Sequence, residues 1–353
     1  MKRMLISAIF LVAFISTCAL LGRYLPFPDV PDVRAKIEHL ARHGDEYDVL
    51  FIGSSRVHQQ ILPTIFDRIA GMNGFPVKSF NAGLTGMMSP EDGYMIEEVL
   101  RRPHRRLRWV FVEMTSFAAN FGGEQNWRFT YWHDTVRLGI VVRVLYGQAV
   151  GRLAKDPEAG FSAKYRIWTT IGGRLWVHVH AWLIRAANVN RGGEILNRWL
   201  HGPGWYFNPR DSLGDSGDGW IPAELSYQKM APDARAKYEQ AYAGQLAQPA
   251  GKVRDNAASQ AVIERSLAAV TKAGARPVII VPPMISGRNF YPTEEREREV
   301  TILDFSDVRQ YPELFVPEHR TDVFHLNTVG AEIFSDILAR RFVEIVKGRA
   351  PMP

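Results

Sequence analysis

Apolar residues recur along this chain with two different periods. Where they run unbroken, at Val49-Leu50-Phe51-Ile52 and Trp109-Val110-Phe111-Val112, they predict strands buried on both faces. Further strands are expected at Val77–Asn81, at Pro277–Val281, which Pro282-Pro283 ends, and at Thr301–Asp304. Between them the period becomes helical. Ile61, Leu62, Ile65, Phe66 and Ile69 fall on one face, and a helix is expected over Glu91–Arg101. Another covers Ala257–Lys272, and a last one starts near Asn327, with Ile333, Phe334, Ile337, Leu338 and Phe342 on its apolar side. Strand and helix alternating at this rhythm predict an α/β fold built on a doubly wound parallel sheet.

The rhythm stops from about residue 118 to 250, where Trp, Tyr, Gly and Arg are frequent and no strand pattern is clear. Helices are expected there at Thr135–Gln148 and Trp168–Ala187, and a loop at Gly202–Gly219. The expected organisation is an anchor at 1–22, a stalk and short helix (Val33–Arg42) at 23–44, and a first half of the core at 45–117. A large, mainly helical insertion follows at 118–255, and the second half of the core occupies 256–353. No internal repeat is visible.

The first residues read differently from the rest. Met1-Lys2-Arg3 precedes an uncharged apolar run from Met4 to Leu21, closed by Gly22-Arg23. A membrane-spanning helix needs roughly 18 to 20 such residues, so an N-terminal transmembrane helix is expected. The leading positive charge predicts a single-pass protein of the inner (cytoplasmic) membrane with an extracytoplasmic, periplasmic body. A cleaved signal peptide is the competing reading, but no small-x-small site ends the run. Pro26, Pro28 and Pro31 predict a stiff stalk.

Composition narrows the function. Of 353 residues, 46% are hydrophobic and only Cys18 is a cysteine, which excludes an internal disulfide framework and a thiolate metal cluster. The net charge is +6. Its densest cluster, Arg101, Arg102, Arg105, Arg106 and Arg108, has no interleaved aromatics, so it reads as a solvated face and no nucleic-acid partner is expected.

The chemistry is expected at the carboxyl ends of the strands, where open α/β sheets bind their ligands. Gly53-Ser54-Ser55 follows the first strand directly. A serine hydroxyl needs an adjacent base, and the base needs a third group to orient it. Ser55 is the candidate nucleophile, His325 the base, and Asp322, three residues earlier, the orienting carboxylate. Arg56 suits a carboxylate or phosphate on a substrate, or equally a neighbouring acid.

These segments resemble the SGNH (GDSL-type) hydrolase superfamily. Gly53-Ser54-Ser55 matches its first block, with Ser54 where the family has aspartate. Asn81-Ala82-Gly83 fits the second, and Asp322-Val323-Phe324-His325-Leu326-Asn327 with Gly330 fits the last. The resemblance covers about 45–117 and 256–346. It implies a flavodoxin-like three-layer fold and an oxyanion held by the N–H groups of Ser55 and Gly83, and it marks Asn81 with Arg56 as substrate-contacting candidates. The third block departs from the pattern. Val112 is followed by Glu113-Met114-Thr115-Ser116-Phe117, with no asparagine donor, leaving Ser116 or Thr115 as the nearest helper.

With its Gly-Ser-Ser variant and anchor, the chain is similar to a membrane-anchored subgroup that includes the lipoteichoic acid D-alanylation protein and alginate O-acetylation proteins. That likeness implies acyl transfer, most simply of acetyl, onto a polysaccharide or glycolipid, beside a membrane-bound O-acyltransferase and without metal or organic cofactor. An esterase acting on the same polymers, and a non-catalytic glycan-binding or acyltransferase-partner protein, are the alternatives.

Other groups carry less. Trp127, Tyr131, Trp132 and His133 fit either the core of the insertion or a sugar-stacking surface. His178 and His180 lack a third metal ligand. Asp211, Asp215 and Asp218 lack the ligand order of a calcium loop and read as solvated turn residues.

Overall fold

The structure, a computed structural model, describes residues 2–22, 25, 27–115, 117, 127–189, 191–202, 209–223, 231–247, 252–254, 257–285 and 289–348. They form two compact units, Met1–Arg34 with Ala118–Asn208, and Ala35–Phe117 with Pro209–Pro353.

The second unit is built on a five-stranded sheet of β1 (Val49–Ile52), β2 (Ser79–Asn81), β3 (Trp109–Glu113), β5 (Arg276–Val281) and β7 (Thr301–Asp304), in the order β2-β1-β3-β5-β7. Every pairing is parallel. The chain therefore moves outward one way from β1 to β2 and then the other way from β3. Such a reversal leaves a crevice at the carboxyl ends of β1 and β3, where doubly wound folds bind ligands. A separate short pair, β4 (Val253–Arg254) with β6 (Phe290–Tyr291), is also parallel.

Helices cover both faces. The period of two along each strand sends Val49, Phe51, Trp109, Phe111, Val278 and Ile280 into one core with α4 (Pro63–Met72) and α14 (Thr328–Gly348). Phe51, Phe66, Phe111 and Phe342 meet there with ring centroids 4.9 to 6.0 Å apart, the range in which aromatic pairs add to simple burial. On the opposite face Ile279 and Met114 pack on Leu267 of α12 (Ala257–Lys272), which lies beside α5 (Glu91–Val99). β1 and β3 are buried on both faces, which is why each reads as an unbroken apolar run.

The other unit is helical: α1 (Lys2–Gly22), α6 (Trp127–Thr130), α7 (Thr135–Lys155), α8 (Phe161–Ala186) and α9 (Arg191–His201). α7 and α8 form an antiparallel hairpin, with Asp134 capping α7 by accepting from the Arg137 N–H. The side chains of Lys2, Met4, Ala8, Ala19 and Leu21 in α1 are outside the description. Among the described residues no helix is long and apolar enough to cross a membrane.

The partition differs from the expected one. Residues 209–223 and 231–247, placed by pattern in the insertion, belong to the sheet unit. α10 (Pro209–Leu213) leads into a glycine turn that seals the open edge of β2. Asn81 donates to the Asp218 carbonyl at 2.8 Å, and Trp220 Nε1 donates to the Gln59 carbonyl at 2.9 Å. Gly219 sits at φ +87°, and a Cβ there would lie 2.0 Å from the Asn81 oxygen, so only glycine fits. α11 (Pro232–Ala247) buries Tyr238 in the main core and ties down the Phe315 carbonyl. The expected boundary near 255 thus lies at 208–209. Pro31, assigned to the stalk, instead opens α2 (Pro31–His43), where its fixed φ suits a first helical turn.

Candidate active site

Ser55 opens the short helix α3 (Ser55–His58) directly after β1. Ser54 is its N-cap, accepting from the Arg56 N–H. This turn holds Ser55 Oγ 2.7 Å from His325 Nε2, across 270 residues of sequence. His325 Nδ1 lies 2.9 and 3.0 Å from the two oxygens of Asp322. A carboxylate accepts only, so Nδ1 carries the ring hydrogen and Nε2 is left to accept from the serine.

Asp322 is held as well as holding. Its Oδ1 accepts from the N–H groups of Phe324 and His325 at 2.6 and 2.8 Å. Burial opposes its charge, but the His325 ring and those two N–H groups outweigh burial and keep the carboxyl below its usual range. Arg320, fully buried, fixes the turn from beneath by donating to the carbonyls of Leu314, Asp322 and Val323. Burial pushes its guanidinium down to about 10. Gln60 Nε2 donates to the Phe324 carbonyl at 3.0 Å, which joins the serine segment to the histidine turn.

Behind the turn, Asn327 caps α14 by accepting from the Gly330 N–H at 2.9 Å. A Cβ at Gly330 would meet the His319 carbonyl oxygen at 2.1 Å. The Asp-x-x-His-x-Asn spacing is therefore one built turn.

No protein-family model matches this chain, and no curated protein matches it. The site's chemistry rests on its own geometry.

A second set of contacts sits under the serine turn. Glu113, buried at the end of β3, accepts from the Ser54 N–H at 2.6 Å and from Ser54 Oγ at 3.1 Å. It also pairs with Arg56 Nη2 at 2.5 Å. The other arm of Arg56 rests on Met284 Sδ, just beyond β5. Gly53 has to be glycine, because a Cβ there would stand 2.5 Å from Glu113 Oε2. Of the two partners foreseen for Arg56, the structure provides the neighbouring acid. The role of Glu113 was not foreseen. Its one sequence signal is a charged residue closing an otherwise apolar buried strand.

Two expected roles need correction. Gly83 N–H, expected as an oxyanion donor, donates to Asn81 Oδ1 at 2.9 Å. Asn81, expected to touch substrate, is fully buried, and its amide nitrogen donates to the carbonyls of Val57, His58 and Ile61. Together they brace α3 from below. Lys36 completes the brace, with Nζ 2.5 to 3.0 Å from the carbonyls of Asn81, Gly83 and Gly219. The Ser55 N–H has no hydrogen-bond partner among the described residues. Ser116 lies outside the described residues. Thr115 Oγ1 donates to the buried Asp92 at 3.0 Å, and desolvation pushes that carboxyl up to about 6.

Elsewhere, Tyr131, Trp132 and His133 are buried in the helical unit and present no sugar-stacking face. No group of three metal-ligating side chains occurs among the described residues. Arg106 and Arg108 pair with Asp48, and Arg101 with Glu98.

Proposed function

We propose that this protein is a serine-dependent acyltransferase of SGNH type that moves an acyl group, most simply acetyl, onto a hydroxyl of a cell-surface or exported polysaccharide. The observation that carries the proposal is the unbroken chain of short contacts from Ser55 Oγ through His325 to Asp322, at the crevice where the strand order reverses.

In this reading Ser55 Oγ attacks the donor's carbonyl carbon and its proton passes to His325 Nε2. The tetrahedral oxyanion forms against the Ser55 N–H. The bond to the donor's leaving group breaks as His325 returns the proton to it, which leaves an acyl-serine. An acceptor hydroxyl, deprotonated by His325, then attacks the acyl carbon, and Ser55 regains its proton. Water in place of that hydroxyl would make the same site an esterase. Asp322 stays ionised throughout and stabilises the imidazolium.

We further propose that α1 anchors the protein in a membrane beside an acyltransferase that supplies the donor. Its backbone is helical over 21 residues, roughly 30 Å at 1.5 Å per residue, the thickness of a bilayer's hydrocarbon core. Its described side chains alone fall short of a membrane span, and it is the sequence counted with Met4, Ala8, Ala19 and Leu21 that runs uncharged from Met4 to Leu21. Leu5, Ile6, Ile9, Phe10, Leu11 and Val12 are all more than half exposed, a costly arrangement in water.

Fluorophosphonate labelling of the detergent-solubilised full chain tests the site. The expected adduct is on Ser55, read by peptide mass, and is lost in Ser55→Ala and His325→Ala. Absence of label on protein with an unchanged melting transition would sink the enzymatic reading and favour a binding role.

A further inference from the structure

We infer that α9 lies on the bilayer surface, as a second membrane contact immediately beside the exit of the anchor. The inference rests on the reading of α1 as an anchor. The junction is fixed by Asn188, which follows α8 in a left-handed conformation, φ 49°, that asparagine tolerates better than most residues. Its Nδ2 donates to the Cys18 carbonyl at 2.7 Å, one turn before α1 ends. Gly22 lets the two elements approach, since a Cβ there would lie 2.7 Å from the same Nδ2. The Asn188 carbonyl then accepts from the N–H of Arg191, the first residue of α9, at 3.2 Å. If α1 spans the hydrocarbon, its last turn is level with the headgroups, and α9 starts one hydrogen bond away from it.

The composition of α9 suits that level. Leu196, Trp199 and Leu200, at i, i+3 and i+4, share one face and are 53%, 80% and 55% exposed. On the side turned into the unit, Arg191 pairs with Glu194 at 2.9 Å and lies over the Trp127 ring. A short helix that turns an exposed Trp-Leu face outward, with its one acid, Glu194, already paired to Arg191, is built to rest in a membrane interface. Tryptophan in particular favours headgroup depth.

Site-directed fluorescence in lipid nanodiscs of phosphatidylethanolamine and phosphatidylglycerol tests this on the full chain. Cys18→Ser removes the native thiol, and Trp199→Cys or Phe10→Cys then carries an environment-sensitive label. Both replaced side chains are exposed, so folding should survive, and a melt checks it. The Trp199→Cys label should be quenched more by lipids spin-labelled near the headgroup than by those labelled near the chain end, as for a helix buried roughly 5–10 Å into the headgroup boundary. The Phe10→Cys label should show the reverse order. A Trp199→Cys label open to aqueous iodide and untouched by either lipid, with Phe10→Cys still quenched from the chain end, overturns the inference while the anchor stands. Shielding from both iodide and lipid would mean a second copy covers the face, and it overturns the inference too. If neither position is quenched by lipid, the anchor reading fails and this inference falls with it.

Discussion

His325 and His133 each hold a ring nitrogen close to another side chain, yet only His325 has both a hydroxyl and a carboxylate beside it. His325 lies between a serine and a carboxylate, with about a fifth of its side chain exposed. Its environment offers a proton to take and a charge to stabilise the result. His133 is fully buried, donates from Nδ1 to the Phe129 carbonyl at 2.8 Å, has Nε2 2.9 Å from His178 Nδ1, and stacks on Trp132. Burial first, and then His178, push its ring down to about 3. A histidine that cannot take a proton until the pH is that low serves as packing and a hydrogen bond. The two sites teach that access and the neighbouring charge, and not the residue type, make a base.

The contrast breaks most sharply at Asp322. Asp322→Asn keeps an oxygen for the two backbone N–H groups but removes the charge that orients His325. The second-order rate of fluorophosphonate labelling at Ser55 should fall by roughly four orders of magnitude, with the melting temperature little changed. A rate within a few-fold of the parent would mean that Asp322 does not govern the tautomer.

Glu113 tests whether the serine turn depends on its support. Glu113→Ala leaves the Arg56 guanidinium and the Ser54 N–H without their acceptor and should cost about 3–5 kcal/mol in urea unfolding. Glu113→Gln, which retains an acceptor for Ser54, should cost less. Equal losses in the two variants would show that the carboxylate's charge, and neither its shape nor a neutral acceptor, is what matters there.

The smallest expected effect sharpens the His133 side. The folded helical unit keeps this ring neutral down to about pH 3, whereas the unfolded chain takes a proton near the ordinary value of 6.5. Stability is therefore whole above about 6.5 and is lost as the pH falls from there toward 3, by on the order of 2–4 kcal/mol. Hydrogen exchange of α7 and α8 amides at pH 7 and pH 4 reads this unit by itself. His133→Phe should flatten the difference, and an unchanged pH dependence would assign it to other groups.

Much of the sheet unit was legible because double-sided burial writes itself locally. Val49–Ile52 and Trp109–Val112 can be nothing but apolar when both faces are covered, and the α14 stripe shows as plainly. The pairing of Ser55 with His325 was legible for a related reason, since each sits in a short turn whose spacing is visible by itself. The glycine turn at 214–219 was not. Its polar, flexible composition reads as free loop, and only its fit against the edge of β2 assigns it to the core. Gly83 and Asn81 failed similarly, because which acceptor takes an N–H depends on what lies across the space, and the sequence shows only what lies along the chain.

By itself, the sequence determined the α/β character, the five strands of the sheet and the helices α4, α5, α12 and α14 to within a few residues, and the identity of the side chains able to form a serine–histidine–aspartate chain. These follow from periodicity and turn chemistry, which act over a few residues. α7 and α8 extend well beyond their expected ends, and α9 and α11 were not foreseen. The tertiary structure alone decided that Glu113 supports the serine turn, that Arg56 is paired, that Gly83 is already bonded, and that residues 209–223 and 231–247 belong to the sheet unit. Each of those is a contact between segments far apart in the chain, and hydrogen bonds and ion pairs are decided by ångströms that no local pattern records.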